Sequence, residues 1–267
     1  MTRYGLIAGS GRFPLLALET ARKLGHEVIA IGIDQEAPRE IEALAARTYW
    51  ITIGQLSKLI EILKDEKLSE VVMAGQVKHV SIFSSIRPDW RLFKLLSSLK
   101  EKNTEALIGG VAKVLEDEGI HLADSTLLLK PLLAGAGVLT KRKPDAEEEK
   151  DARYGRRVAK ALANADIGQS VAISERACVA VEAMEGTDAM LRRAASLVNG
   201  RPLRLVKASR KHLLFDVPVA GLKTIDVMRE TGTTLLAVDA GRTLLLDKDE
   251  LLARANDADI CVVGWEE

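Results

Sequence analysis

The residues best suited to chemistry lie at 180–188, where Glu182, Glu185 and Asp188 surround Gly186 and Thr187. The apolar residues before Glu182 read as a strand that delivers its carboxylate to a strand end. Gly186 permits an unusual backbone angle, and Thr187 and Asp188 then open a helix. Carboxylates and a hydroxyl thus crowd one strand-to-helix corner. Like charges held close repel unless a cation sits between them or one is protonated. Hard oxygen ligands beside a substrate phosphate suit Mg²⁺ or Mn²⁺. A plainer reading uses the same residues: Thr187 and Asp188 cap a helix, and Glu182 is solvated.

A second candidate is Asp216, within the apolar stretch 215–221 and followed by Lys223 and Thr224. A carboxylate in such a stretch needs a partner if it is buried, and Pro218 restricts Val217. The alternative is a turn cap. The third candidate is Gly9-Ser10-Gly11, after the apolar run 4–8. Glycines let a backbone approach phosphate, and a following helix offers free N–H groups. Pro14 stands where the dinucleotide fingerprint has its third glycine, and Asp34 ends the next apolar run. The turn therefore suits a phosphate cradle, a nicotinamide site or a purely structural bend.

Certain elements must position these residues. Residues 4–8 read as a strand, 13–24 as a helix stopped by Gly25, and 27–33 as a second strand. Strand–helix–strand order implies parallel pairing. The alternation continues with strands at 48–53 and 71–74 and helices at 56–67, 91–100 and 105–118. Residues 124–133 close a first domain. The charged block 140–151 reads as a solvated linker or an exposed helix start. We therefore expect an α/β chain: a Rossmann-like parallel-sheet domain over 1–138 and a mixed α/β domain over 139–267 that carries the acidic motifs. In the second half, 170–174 and 178–183 read as paired strands and 187–197 as a helix capped by Thr187. A strand at 203–207, a helix at 225–230 and a last strand at 260–263 follow, without a strict strand–helix–strand repeat. Strands 234–238 and 243–246 flank a hairpin turn at 239–242, so Asp239 is expected to be replaceable.

The 267 residues carry 38 basic and 38 acidic side chains. This balance argues against nucleic acid as a partner. Cys178 and Cys261 sit in apolar runs without a disulfide framework, which fits a reducing cytoplasm. His26, His79, His121 and His212 share no ligand spacing, so zinc is not expected. Residues 1–30 lack the pattern of a signal peptide. No apolar run reaches the roughly 20 residues of a membrane span, which leaves at most peripheral contact with a membrane.

Taken in order, the motifs resemble the LpxI family along nearly the whole chain. The matching segments are 6–11 with Pro14, 74–77, 166–169, 181–190, and 216–218 with Gly221 and Thr224. The resemblance implies Mg²⁺-dependent hydrolysis of UDP-2,3-diacylglucosamine to 2,3-diacylglucosamine 1-phosphate (lipid X) and UMP, in lipid A biosynthesis. It also implies two domains with substrate between them, a cytoplasmic protein and a homodimer. On that reading Asp188 and Asp216 hold the metal. Glu182 or Glu185 completes its shell or orients water, with Asp216, Asp188 and Glu185 as the catalytic set. Lys78 and Lys207 face phosphate. Gly9, Ser10, Gly11, Gln76, Asn103, Gln169, Thr187 and Thr224 complete the substrate-binding set. The chain departs from the family pattern at Leu214, where an arginine is usual, at Thr104, where an acid is usual, and in the shortened segment 207–215. Lys207, Arg210, Lys211 and His212 are the cations near the missing arginine. The rival readings are a nicotinamide-dependent oxidoreductase and a non-catalytic nucleotide- or lipid-binding homologue.

Overall fold

The apolar run at the start of the chain becomes β1 (Arg3–Ala8), and the run after Gly25 becomes β2 (Glu27–Ile33). Nearly every residue of both strands is buried, without in–out alternation. Parallel strands covered on both faces have that pattern. The protein is described by a computed structural model covering residues 2–75, 88–99, 104–124, 126–210 and 217–266. It divides into two units, Met1–Leu129 and Lys130–Glu267.

In the first unit, β3 (Arg47–Ile51), β4 (Glu70–Ala74) and β5 (His121–Leu122) complete a five-stranded sheet of order β3-β2-β1-β4-β5. Every neighbouring pair is parallel. This is the Rossmann-like sheet expected from the alternation. Its helices are α1 (Phe13–Lys23), α2 (Ile41–Leu44), α3 (Leu56–Asp65), α4 (Trp90–Ser98) and α5 (Thr104–Asp117). A 3-10 turn at Leu127–Leu132 follows.

The second unit is built on a six-stranded mixed sheet. Its strands are β6 (Gly137–Val138), β7 (Ser170–Ser174), β8 (Ala177–Val181), β9 (Leu203–Lys207), β11 (Thr233–Asp239) and β13 (Cys261–Trp265), in the order β6-β13-β11-β9-β7-β8. Strands β9, β11 and β13 are parallel. They alternate with α8 (Leu222–Glu230) and α9 (Lys248–Asp257), a strand–helix repeat that the sequence reading did not find. The expected hairpin at 239–242 is absent. Strand β12 (Leu244–Leu245) pairs in parallel with β10 (Val219–Ala220) instead, in a sheet of its own. Asp239 thus ends a central strand and is buried. The β7–β8 pair is antiparallel, as expected.

The segment 140–151 contains the start of a helix and is largely exposed, as one of the two readings had it, but two of its acids are buried. Asp145 caps α6 (Ala146–Asn164), with Glu148 closing a capping box. Glu148 and Asp151 are 2% and 1% exposed. Arg142 forks onto Glu148 at 2.7 and 3.0 Å. Asp151 accepts the Glu175 and Arg176 N–H groups of the β7–β8 turn. A carboxylate tolerates burial when donors fill its oxygens. Charge-rich composition therefore misled, because every buried charge has a partner fixed by the fold. One apolar cluster, with Ala152, Ala159 and Leu162 of α6, covers one sheet face. The opposite cluster takes residues from α7 (Thr187–Leu197), α8 and α9.

Candidate functional site

Strands β8 and β9 end on either side of Ser170, the first residue of the β7 strand that lies between them, and these strand ends bring the site together. Glu182 directly follows β8, and its N–H still pairs with the Ser170 carbonyl at 2.9 Å. Lys207 is the last residue of β9. Thr187 is the first residue of α7, not its cap; Gly186 caps that helix with φ 81°. The Thr187 side chain is thereby free to turn toward the strand ends. Its hydroxyl donates to Glu182 Oε1 at 2.7 Å and receives Lys207 Nζ at 2.7 Å. The Ser170 hydroxyl lies 3.2 Å away.

The electrostatics follow from burial. Lys207 is 5% exposed, and desolvation lowers its pKa, opposed by the negative charges of Glu182 and Asp188. Burial alone would push Glu182 up. The Lys207 charge, then hydrogen bonds from Ser170, Thr187 and the Gln169 N–H, reverse this and hold the carboxyl below its usual range. Gly168 permits that approach, because a Cβ there would sit 2.2 Å from the Glu182 carbonyl oxygen. A pocket of 260 Å³ opens beside these groups, with Asp166, Gly168, Gln169, Glu182 and Arg210 in its wall.

The other carboxylates of the corner turn elsewhere. Glu185 binds Arg193 at 2.6 Å and the Ala183 N–H at 3.0 Å. Asp188 meets Lys223 Nζ at 2.9 Å, and that lysine is 77% exposed. Each acid therefore has a side-chain cation nearby, so the crowding of charge does not by itself require an ion. Among the described residues, no three His, Cys, Asp or Glu side chains gather as a metal-ligand group. Asp188 fits a hard cation best of the three, since the lysine paired with it is largely exposed. Glu182 fits less well, because both its oxygens already accept hydrogen bonds. Thr224 is buried in the first turn of α8, and Gly221 N–H approaches its hydroxyl at 3.4 Å.

In the first unit, Gly9 N–H binds the Ala74 carbonyl at 2.8 Å, tying the glycine turn to the end of β4. Gly11 has φ 90°, and Gly75 packs so closely that a Cβ would lie 2.6 Å from the Ser10 carbonyl oxygen. No side chain caps α1, and Pro14 occupies its first turn. Asp34 is engaged by Arg39 at 2.7 Å. Asp216, Gln76, Lys78 and Asn103 lie outside the described residues. Sequence reasoning gave Ser170 no role and took the buried Asp239 for a replaceable turn residue. Their signal was a polar residue at the end of an otherwise apolar strand.

The LpxI N-terminal domain profile matches residues 3–132, and the LpxI C-terminal domain profile matches 135–263. The chain is 31% identical to UDP-2,3-diacylglucosamine pyrophosphatase LpxI of Caulobacter vibrioides, over 99% of this chain and 98% of that one. Solved structures are matched only distantly. The biotin carboxylase domain of a thermophilic 2-oxoglutarate carboxylase shares 12% identity over 64% of this chain and 35% of that one, at a TM-score of 0.30. Bordetella bronchiseptica WbmG in complex with NAD and UDP shares 18% over 44% and 34%, at 0.29. The chain spans about a third of the length of each of these two, and neither likeness carries a functional argument. With both profiles matched end to end and a relative aligned over its full length, the chain belongs to the LpxI family.

Proposed function

We propose that this chain hydrolyses the phosphoanhydride of UDP-2,3-diacylglucosamine, releasing 2,3-diacylglucosamine 1-phosphate and UMP, in lipid A biosynthesis. The observation that carries this reading is the full-length similarity to a pyrophosphatase of that name. The corner of Glu182, Thr187 and Lys207 supports it chemically.

Phosphoanhydride cleavage needs charge neutralisation and a positioned water more than covalent chemistry. Lys207 presents an ammonium with three donors, one of them given to Thr187. The remaining donors face phosphate oxygens. Glu182 favours the charged state of Lys207 against desolvation, and Thr187 holds its head in place. Asp188 is the described carboxylate best suited to Mg²⁺ or Mn²⁺, and Asp216 is its proposed partner. When bound, the metal neutralises phosphate charge and activates water. Glu185 stays near this site as a candidate to orient water. Gln169 and Thr224 contribute from the second unit. Gly9, Ser10 and Gly11, with Gln76, Lys78 and Asn103, contribute from the first. The reading carries with it a homodimer and a cytoplasmic site of action with at most peripheral membrane contact. Among the described residues, no helix is long and apolar enough to cross a membrane.

The test is a mass-spectrometric assay of the purified protein on UDP-2,3-diacylglucosamine. Product is expected with Mg²⁺, none in excess chelator, and recovery on adding Mg²⁺ or Mn²⁺. Full activity in chelator would remove the metal. Tight binding of intact substrate would favour a non-catalytic homologue. Bound nicotinamide absorbance would favour the oxidoreductase, which rests on the glycine turn alone.

A further inference from the structure

Asp239, expected to lie in a replaceable turn, ends β11 at 2% exposure. One carboxylate oxygen faces Arg156 at 3.0 Å from Nε and 2.9 Å from Nη2. The other oxygen lies 3.9 Å from Lys160 Nζ and also accepts the Ser209 N–H at 2.9 Å and its hydroxyl at 3.2 Å. Arg156 and Lys160 already balance the charge, so the two bonds to Ser209 serve something else. Ser209 stands where the chain has just left β9. A backbone that leaves a strand loses its ladder partners and must find others. Here, successive residues are held by different elements. Ala208 N–H binds the Gln169 carbonyl at 2.9 Å. Ser209 binds Asp239. Arg210 Nε binds the Ala163 carbonyl at 2.9 Å, and its guanidinium pairs with Asp166. Arg210 also forms part of the pocket wall with Gln169 and Glu182.

We propose that Asp239 is a positioning residue: by fixing Ser209 it holds the Arg210 guanidinium on the pocket wall, where Arg210 meets a diphosphate oxygen of the substrate. This rests on the reading of the pocket as a diphosphate site. It assigns to Arg210 the cationic role left open by Leu214. Guanidinium suits that role because its planar fork matches phosphate oxygens. The fork is useful only if the backbone aims it, and the Asp239–Ser209 bonds do the aiming.

The test is a double-mutant cycle of Arg210→Ala and Asp239→Asn. It is read as kcat/KM on UDP-2,3-diacylglucosamine and as the affinity of UDP by calorimetry. Asparagine keeps the side-chain volume and one acceptor but removes the anionic one. Either neutral variant leaves Arg156 and Lys160 without their counter-charge, so circular dichroism checks that Asp239→Asn is folded; Asp239→Ala is avoided because it would add a cavity. Each single variant is expected to lose about tenfold or more in both readouts. The double variant is expected to lose no more than Arg210→Ala alone, since groups that act through one another are not additive. A structural role would instead give losses that multiply. Multiplying losses, or wild-type values for either single variant, would overturn the proposal. A wild-type protein that fails to hydrolyse the substrate but shows the non-additive cycle in UDP affinity would sink the proposed reaction and leave this assignment standing. Absence of both activity and UDP affinity in the wild type would sink both.

Discussion

Two glutamates, one in each unit, are assembled from similar parts and end in different circumstances. Glu66 follows α3 and meets Arg3 at 3.1 Å and Arg47 at 2.6 Å, with the Tyr49 hydroxyl also on its carboxylate. Arg3 and Arg47 open β1 and β3, so this cluster sits at the amino ends of parallel strands. Both arginines are largely in solvent, at 40% and 63% exposure. Glu182 sits at the opposite kind of edge, where strands finish, and its cation is a buried lysine reached through a threonine hydroxyl. Sites in parallel sheets form beyond the carboxyl ends of strands, because loops there are free to vary around a rigid frame. A carboxylate closed over by arginines that reach it from solvent is a staple. A half-buried one facing a buried amine beside a pocket is preorganised for a charged ligand.

That contrast is broken most directly through the carboxylate proposed to complete the second site. Asp216→Ala is expected to lower turnover by roughly a hundredfold or more, the scale for removing a group that stabilises charge in a transition state. Circular dichroism is expected to report a folded protein. Wild-type turnover in that folded variant would make Asp216 a turn cap. Next in size is Glu182→Gln, which leaves the Lys207 ammonium buried beside a neutral side chain. It is expected to cost roughly 3 kcal/mol of stability and about tenfold in kcat/KM. Adding Lys207→Met is expected to restore much of the stability in urea titrations but none of the activity. Recovery of both would reduce the corner to packing.

The smallest effect belongs to the first unit. Glu66→Gln is expected to cost about 1 kcal/mol, the scale of ion pairs whose cations stay in solvent, with kcat and KM unchanged. Its pH dependence has a definite sign. The Tyr49 hydroxyl, then Arg47 and Arg3, hold the Glu66 carboxyl below its ordinary value of 4.5 against the opposing effect of burial. A lowered folded pKa stabilises above the unfolded value and is lost as pH falls through the folded one. The gap in Tm between wild type and Glu66→Gln is therefore expected to close as pH drops below about 4. A gap that is constant with pH, or a loss of activity at neutral pH, would erase the distinction between the two glutamates.

Local patterns made the first unit legible. Apolar runs near five residues, helix-stopping glycines and short connections leave little freedom in a parallel alternation. The corner at 182–188 was legible as a cluster of polar groups because its residues are neighbours in sequence. Lys207 was identifiable as a cation in a strand. What could not be read was which groups meet. The reading placed a metal at Asp188 and Asp216, with Glu182 or Glu185 completing its shell; it did not foresee that Lys207 would reach Thr187 and that Arg193 and Lys223 would pair with Glu185 and Asp188. It likewise missed the burial of two acids within 140–151 and of Asp239, and the partners of that segment lie as much as 122 residues away.

By itself, the sequence determined strands β1 to β4 with helices α1 and α3 between them, the order of the motifs and the family to which they belong, since each of these depends on residue type and near spacing. The tertiary structure alone decided the partners of the buried charges: Lys207 for Glu182, Arg142 for Glu148 and the Ser209 backbone for Asp239. The physical reason is that the fate of a charge depends on its surroundings. Desolvation and Coulomb attraction act through space over a few ångströms, and no spacing along the chain records which distant strand ends will stand that close.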